Sequence, residues 1–349
     1  MTSVLDKIHG CLLGIAVGDA MGMPALYSSE RTKEVFGGDI TTFIDASKDP
    51  NIDPVHHLLP AGMITDDTFA ALSIVKSIIK EEKLSVDAFA QSYIRWVDET
   101  DKLTAALGCQ RGFAGPSTRV SIEKLRAGVS PIEAGADGRT NGASMRVGPI
   151  GFLYPGDLEA TVDAAELTAI PTHNTNVAIS AASAVACAVS VCAAGETSIG
   201  SVIEAAKQGA EYGKLRGNPV QCPSIARRID MAIDIASADK PMLQIRKDIY
   251  DLVGTSLLSY EIVPAAMAVL FLGQGNVVDT IRLAINMGGD NDTLGAIVGG
   301  ILGAYKGFHA FPLDYSEKIE SVNNLNLEQI SQDYLLVAEK IRANNAKKD

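Results

Sequence analysis

Aromatic residues are scarce in this chain of 349 residues: Phe, Trp and Tyr together make up 5% of it, and there is a single tryptophan. That shortage argues against a sandwich of strands built on aromatic and β-branched side chains. Basic residues are also in deficit. Thirty Lys and Arg against 42 Asp and Glu leave a net charge of −12 and a pI near 4.9. This balance argues against broad electrostatic binding to nucleic acid or to anionic lipid. The five cysteines (Cys11, Cys109, Cys187, Cys192, Cys222) are an odd number, widely spread and without a CxxC pair. Neither a disulfide framework nor a zinc knuckle is expected, and a reducing, cytoplasmic setting is the natural reading. The opening MTSVLDKIHG lacks the basic-then-apolar layout of a signal peptide. No low-complexity linker, tandem repeat or sharp change of composition divides the chain. At about 150 residues per domain, one large domain or two are allowed.

Apolar residues are plentiful, at 47% hydrophobic against 21% charged, and glycine is abundant. A sizeable core of closely packed helices follows. After Thr65, the residues Phe69, Leu72, Val75 and Ile79 recur at three- and four-residue intervals, with Lys76 and Lys80 on the other side of an amphipathic helix. Residues 84–97, 177–194, 224–236, 262–272, 279–286, 294–305 and 328–342 read the same way. No run alternates cleanly with period two, so the class is all-α. Residues 177–194 carry no charge. Their Ala and Ser content predicts a buried central helix rather than a membrane span. Loops are expected at 31–63, which holds His56 and His57, at the glycine-rich 137–151, and at 213–223. The last four residues, AKKD, read as a frayed tail.

Two acid-rich helix starts, far apart in sequence, carry the chemistry. Thr65-Asp66-Asp67-Thr68 leads into the first amphipathic helix, and Gly288-Gly289-Asp290-Asn291-Asp292-Thr293 leads into the glycine-spaced segment 294–305. Either one alone reads as N-capping, because Asp and Thr oxygens accept unpaired amide hydrogens and suit the helix dipole. A second carboxylate beside the cap adds repulsion. Residues two apart in a helix project roughly 200° apart. Asp290 and Asp292 therefore face one centre only if the chain turns there, which Gly288-Gly289 permits. Clustered carboxylates need cations to be buried, and hard oxygen donors without sulfur favour Mg²⁺ or Mn²⁺.

The chain resembles the ADP-ribosylglycohydrolase family over about residues 5–310. The likeness runs through Gly10-Cys11-Leu12-Leu13-Gly14 and Gly18-Asp19-Ala20-Met21-Gly22, then Thr65-Asp66-Asp67-Thr68. It continues in Asn141-Gly142-Ala143-Ser144-Met145-Arg146 with Pro149, in Thr172-His173, and in Gly289-Asp290-Asn291-Asp292-Thr293. The resemblance implies a single domain over 1–349, a compact orthogonal multi-helix bundle with a dinuclear Mg²⁺ (or Mn²⁺) centre at the bottom of a cleft. It implies Thr65, Asp66, Asp67, Asp290, Asp292 and Thr293 as ligands, with Asp292 shared by both ions. The implied reaction is hydrolysis at the anomeric carbon of a ribose in an ADP-ribosylated group, with Asp67 or Asp292 steering the water. Asn141, Gly142, Ser144, Met145 and His173 would hold the substrate. The amides of Gly142, Ser144 and Met145 would form an anion nest, and Gly115-Pro116-Ser117 would lie beside the metals. Asp19 is expected to be structural. Many members of the family carry a glutamate shortly after the opening Gly-Asp-Ala-x-Gly-x-Pro run. Here Ala25-Leu26-Tyr27 follows, with no acid until Glu30. That departure opens a second possibility, a small nucleoside-like N-glycoside as substrate, beside an ADP-ribosylated protein. A non-catalytic ADP-ribose binder is the remaining alternative.

Overall fold

A stripe of glycines decides how the central helices meet. The structure, a computed structural model, describes residues 2–49, 52, 55–109 and 111–345. The AKKD tail lies outside the described residues. Seventeen α-helices occur among the described residues: α1 (Val4–Gly22), α2 (Ser29–Phe36), α3 (Asp66–Glu81), α4 (Val86–Ala106), α5 (Pro116–Arg126), α6 (Pro131–Ala134), α7 (Gly142–Arg146), α8 (Leu158–His173), α9 (Asn176–Ala194), α10 (Ile199–Gly213), α11 (Ile225–Ala236), α12 (Met242–Asp248), α13 (Ser259–Gly273), α14 (Val277–Ala284), α15 (Asn291–Lys306), α16 (Leu313–Asn323) and α17 (Leu327–Asn345). Strand pairing among the described residues is limited to two isolated bridges, Thr140 with Leu258 and Thr175 with Asn218. The all-α class is as expected.

Helices α1 and α15 run antiparallel in backbone contact. Gly10, Gly14 and Gly18 of α1 face Gly303, Gly299 and Gly295 of α15 in that order. A methyl group on Gly14 would lie 2.0 Å from the Gly299 carbonyl oxygen, and one on Gly299 would lie 2.1 Å from that of Gly14. The four-residue spacing keeps each set on one helix face, so the two backbones interlock. At one end of this pair stand Asp19 on α1 and the acid-rich start of α15.

Among the described residues, helix α9 is the one long and apolar enough to cross a membrane by composition, but 89% of its apolar window is buried inside the fold. It packs against α10, α8 and α7, as the buried-helix reading requires. Small side chains again set the spacing, since a methyl group on Gly209 of α10 would lie 2.5 Å from the Ser183 carbonyl oxygen of α9. This packing explains how a chain poor in aromatics fills its core.

The expected helices appear as α3, α4, α9, α11, α13, α14, α15 and α17. The 213–223 loop joins α10 to α11 as read. Residues 31–63 and 137–151 are less irregular than expected. The first includes the end of α2 and a 3₁₀ turn at Ala46–Lys48. The second includes α7 and the start of a 3₁₀ turn, Gly148–Phe152.

Candidate active site

Both acid-rich turns begin helices, yet the residue at the cap position of each leaves its helix uncapped. Thr65 precedes α3 and Asp290 precedes α15, and neither side chain bonds a first-turn amide of its helix. The capping of α3 comes from α1 instead. Asp19 is fully buried and accepts four hydrogen bonds. These come from the Thr65 amide (2.9 Å) and hydroxyl (2.6 Å), and from the Thr68 amide (3.2 Å) and hydroxyl (2.5 Å). With the start of α3 satisfied from outside, Asp66 and Asp67 are released to face a cleft. The structural role expected of Asp19 is therefore visible in its contacts.

The second turn is shaped by backbone. Gly288 and Gly289 both have positive φ, 97° and 86°. A methyl group on Gly289 would lie 2.5 Å from the Thr255 carbonyl oxygen. The Asp290 amide donates to that same oxygen at 2.8 Å, and the Asn291 side chain ties the turn to the Gly288 amide and to the Ala25 carbonyl. Asp290 then points to the cleft, where the Asn141 side-chain amide donates to it.

The cleft has a volume of about 380 Å³ and contains Asp66, Asp67, Asp290, Asp292 and Thr293 together. Two turns more than 220 positions apart in sequence thus converge. Burial pushes all four carboxyls above their usual range, and repulsion from neighbouring carboxylates adds to it for Asp66, Asp67 and Asp292. Asp66 is pushed up to about 8, first by burial and then by Asp19 and Asp290. Asp67 is raised by burial, then by Asp19, Asp66 and Asp290, with the Thr293 hydroxyl opposing. Asp292 is raised by burial, then by Asp290 and Asp67. In Asp290, bonds from neighbours including Asn141 partly offset burial.

The donor set is all oxygen, which suits Mg²⁺ or Mn²⁺. Asp67 Oδ1 is buried with no hydrogen-bond partner, an oxygen left for a cation or a water. Among the described residues, no three acidic, histidine or cysteine side chains converge on a ready-made ion site. The carboxylates share a cleft without yet closing on one point. Thr65 stands apart from the other expected ligands. It is fully buried, is absent from the cleft wall and gives its hydroxyl proton to Asp19.

Expected substrate contacts divide in two. Asn141, Gly142 and Met145 line the cleft, whereas Ser144 and His173 do not. The anion nest is absent in the form expected. The Ser144 and Met145 amides both donate to the Asn141 carbonyl, at 2.8 and 3.0 Å, because α7 is a tight turn that uses its own donors. His173 lies behind the wall, fully buried. Arg146 donates to the Thr172 hydroxyl at 2.7 Å. That hydroxyl faces His173 Nδ1 at 2.8 Å, and His173 Nε2 faces the Thr140 hydroxyl at 3.0 Å. The Thr140 hydroxyl in turn donates to Ser117. Donation in one direction along this chain places the imidazole proton on Nε2. Burial, then the Arg146 charge, hold His173 well below its ordinary pKa and so neutral. Gly115 and Pro116 line the cleft, while Ser117 is reached through Thr140.

Sequence reasoning missed most of the opposite wall. Leu26, Val55, His56, Arg111, Phe113 and Leu257 complete the cleft, and the His56 and Phe113 rings stack with centroids 6.1 Å apart. Part of the long 31–63 segment is thus a wall of the site. Glu30 is elsewhere. It lines a separate surface hollow with Lys247 and Tyr250, so it does not stand in for the missing acid.

A sequence profile described as ADP-ribosylglycohydrolase matches residues 1–346. The chain belongs to the ADP-ribosylglycohydrolase family. Relatives of this chain include the uncharacterized protein YegU of Escherichia coli K12, 29% identical over 93% of this chain and 95% of that protein. The ADP-ribosylhydrolase ARH3 of Bos taurus is 26% identical over 90% of this chain and 89% of its own. A solved structure titled ADP-ribosylglycohydrolase-related protein complex shares the fold. It has a TM-score of 0.67 at 23% identity and covers 97% of this chain and 100% of that one. Family membership makes this chain a hydrolase.

Proposed function

We propose that this ADP-ribosylglycohydrolase is a cytoplasmic, Mg²⁺-dependent N-glycosyl hydrolase that cleaves the anomeric bond of an ADP-ribosylated group. The observation that carries the reading is the cleft itself. Four aspartates from two distant helix starts face one cavity, the residues at the two cap positions, Thr65 and Asp290, do not cap their helices, and Asp67 keeps an unpartnered buried oxygen. Asp66, Asp67, Asp290, Asp292 and Thr293 would hold two divalent ions, Mg²⁺ or Mn²⁺, with Thr65 able to contribute only through a hydroxyl oxygen already turned to Asp19.

Such ions supply positive charge for the ribose hydroxyls and lower the pKa of water. The chain's own residues do the rest. Asp67, through Oδ1, orients the attacking water and accepts its proton, and Asp292 stands opposite as the second steering carboxylate. Asn141 fixes Asp290, while Met145 and the Phe113–His56 stack exclude bulk water around the sugar. Water oxygen ends on the anomeric carbon, the glycosidic bond breaks through an oxocarbenium-like state, and the departing nitrogen takes a proton. The test is release of ADP-ribose by Asp67→Asn and Asp292→Asn variants. Each should lose activity by about 100-fold or more while circular dichroism stays that of the wild type. Normal turnover in both would remove the mechanism.

A second reading keeps the chemistry and changes the substrate to a small nucleoside-like N-glycoside. It is supported by Leu26, an apolar side chain in the cleft wall, because the next acid along the sequence, Glu30, faces another hollow. Parallel assays with ADP-ribosylated peptide and with a panel of nucleosides discriminate the two. Free base from the nucleosides at the higher kcat/KM favours the second, and its absence returns the assignment to ADP-ribosylated groups.

A further inference from the structure

Helix α3 has a second functional-looking face, turned away from the cleft. Phe69, Ser73, Lys76, Ser77 and Lys80 fall at three- and four-residue steps on it, and Ser92, Arg95, Trp96 and Glu99 do the same on α4. Between them runs a groove of about 300 Å³ lined by these residues. Three cations against one carboxylate give the groove a net positive lining, in a chain whose overall charge is −12. Among the described residues, neither Lys76 nor Arg95 has an acidic partner within ion-pair distance. Lys80 has only Glu81, at 3.6 Å, which lies outside the groove lining.

The floor is polar and incompletely satisfied. Ser73 and Ser92 are buried and use their hydroxyl protons on the Ala70 and Ser73 carbonyls, both at 2.8 Å. Ser77 is 3% exposed and also lines the floor. Trp96 is also 3% exposed, and its indole N–H is buried without a partner. A buried donor left unpaired costs free energy that a bound acceptor recovers. An unused indole N–H beside two unpaired cations, Lys76 and Arg95, suits a compact oxyanion, because phosphate oxygens accept from both kinds of donor.

We propose that the α3–α4 groove binds a phosphate group, either inorganic phosphate or the terminal phosphate of a phosphomonoester, as a site separate from the catalytic cleft. Lys76 lies ten residues along α3 from Asp66, roughly 15 Å at the helical rise. The wall between cleft and groove is the Phe69–Phe113 pair, with centroids 6.2 Å apart. This site does not depend on the reading of the cleft.

Trp96 is the single tryptophan, so its emission reports on this groove alone. The experiment titrates the full-length chain, in Mg²⁺-containing buffer at constant ionic strength, with inorganic phosphate and separately with ribose 5-phosphate. Fluorescence and calorimetry are read together, and chloride serves as the control. Saturable binding with a Kd near or below about 1 mM is expected. It should weaken at least tenfold in Lys76→Met/Arg95→Met and persist in an Asp66→Asn/Asp290→Asn cleft variant. A tenfold preference for ribose 5-phosphate would identify a phosphomonoester as the ligand, and equal affinity would identify phosphate alone. Absence of binding by both methods overturns the proposal. So does binding unaltered by Lys76→Met/Arg95→Met, or binding lost in the cleft variant.

Discussion

Replacing Gly14 by alanine tests the backbone contact on which the site is mounted. The added methyl would sit 2.0 Å from the Gly299 carbonyl oxygen, whereas ordinary contact begins at 3.4 Å, so α1 and α15 must part by about the difference. The obstacle is backbone on a helix axis, which has no rotamer to yield. The cost belongs at or above the upper end of the about 1–3 kcal/mol for an overpacked methyl. Against it stands about 1 kcal/mol that alanine gains over glycine within a helix. The net loss is about 2 kcal/mol. With an unfolding entropy near 2.1 cal/mol/K per residue, that lowers the Tm of 349 residues by about 3 °C. Activity should fall further than stability. Asp19 is carried by α1 and Asp292 by α15, and a displacement near 1 Å at reacting groups costs about 100-fold. Differential scanning fluorimetry and ADP-ribose release on the same samples read both effects. Gly200→Ala supplies the control of opposite sign. It is also a helix glycine, but its nearest neighbour is Ser198 Oγ at 3.5 Å, so the variant should melt at or above the wild-type temperature. A Gly14→Ala protein that melted like Gly200→Ala would refute the interlocked pair.

Further outcomes follow from the electrostatics. Asp66 binds its proton up to a pH of about 8 in the fold, against an ordinary value of 3.8. Between those values the native state holds the extra proton, so chelator-treated protein should lose stability as pH rises from about 4 to 8. Millimolar Mg²⁺ at the upper end should restore it, and a melting temperature rising across that window without Mg²⁺ would contradict the carboxylate cluster. His173, buried and neutral, should show no imidazole titration between pH 5 and 8 by NMR; a midpoint near 6.5 would show that it reaches solvent. His173→Ala leaves Thr140 and Thr172 without their imidazole partner and should cost about 2–3 kcal/mol in urea unfolding. Asn141→Ala frees Asp290 and should weaken Mn²⁺ binding, measured by calorimetry, about tenfold, in line with the loss of a hydrogen bond that orients a metal ligand.

What the sequence by itself determined were the properties that depend on neighbours along the chain. Low aromatic content and three- and four-residue periodicity defined the helical class and placed α3, α9 and α15. Two acid-rich turns, one preceded by paired glycines, marked where charge would gather. Tertiary structure decided which partner each group found. Asp19, 46 residues before Thr65, took over the capping of α3, and only that through-space contact turned Asp66 and Asp67 toward the cleft. Ser144, His173 and Thr65 lie within motifs that were legible, yet buried hydrogen bonds draw them behind the wall. Leu26, Val55, His56 and Phe113 lie outside every periodic segment and become walls only through packing, Val55 and Phe113 within a second small apolar cluster that also holds Met23 and Leu59. Periodicity is a one-dimensional property and survives in the sequence. The direction in which a side chain spends its hydrogen bonds is settled by three-dimensional packing, among residues that can lie hundreds of positions apart.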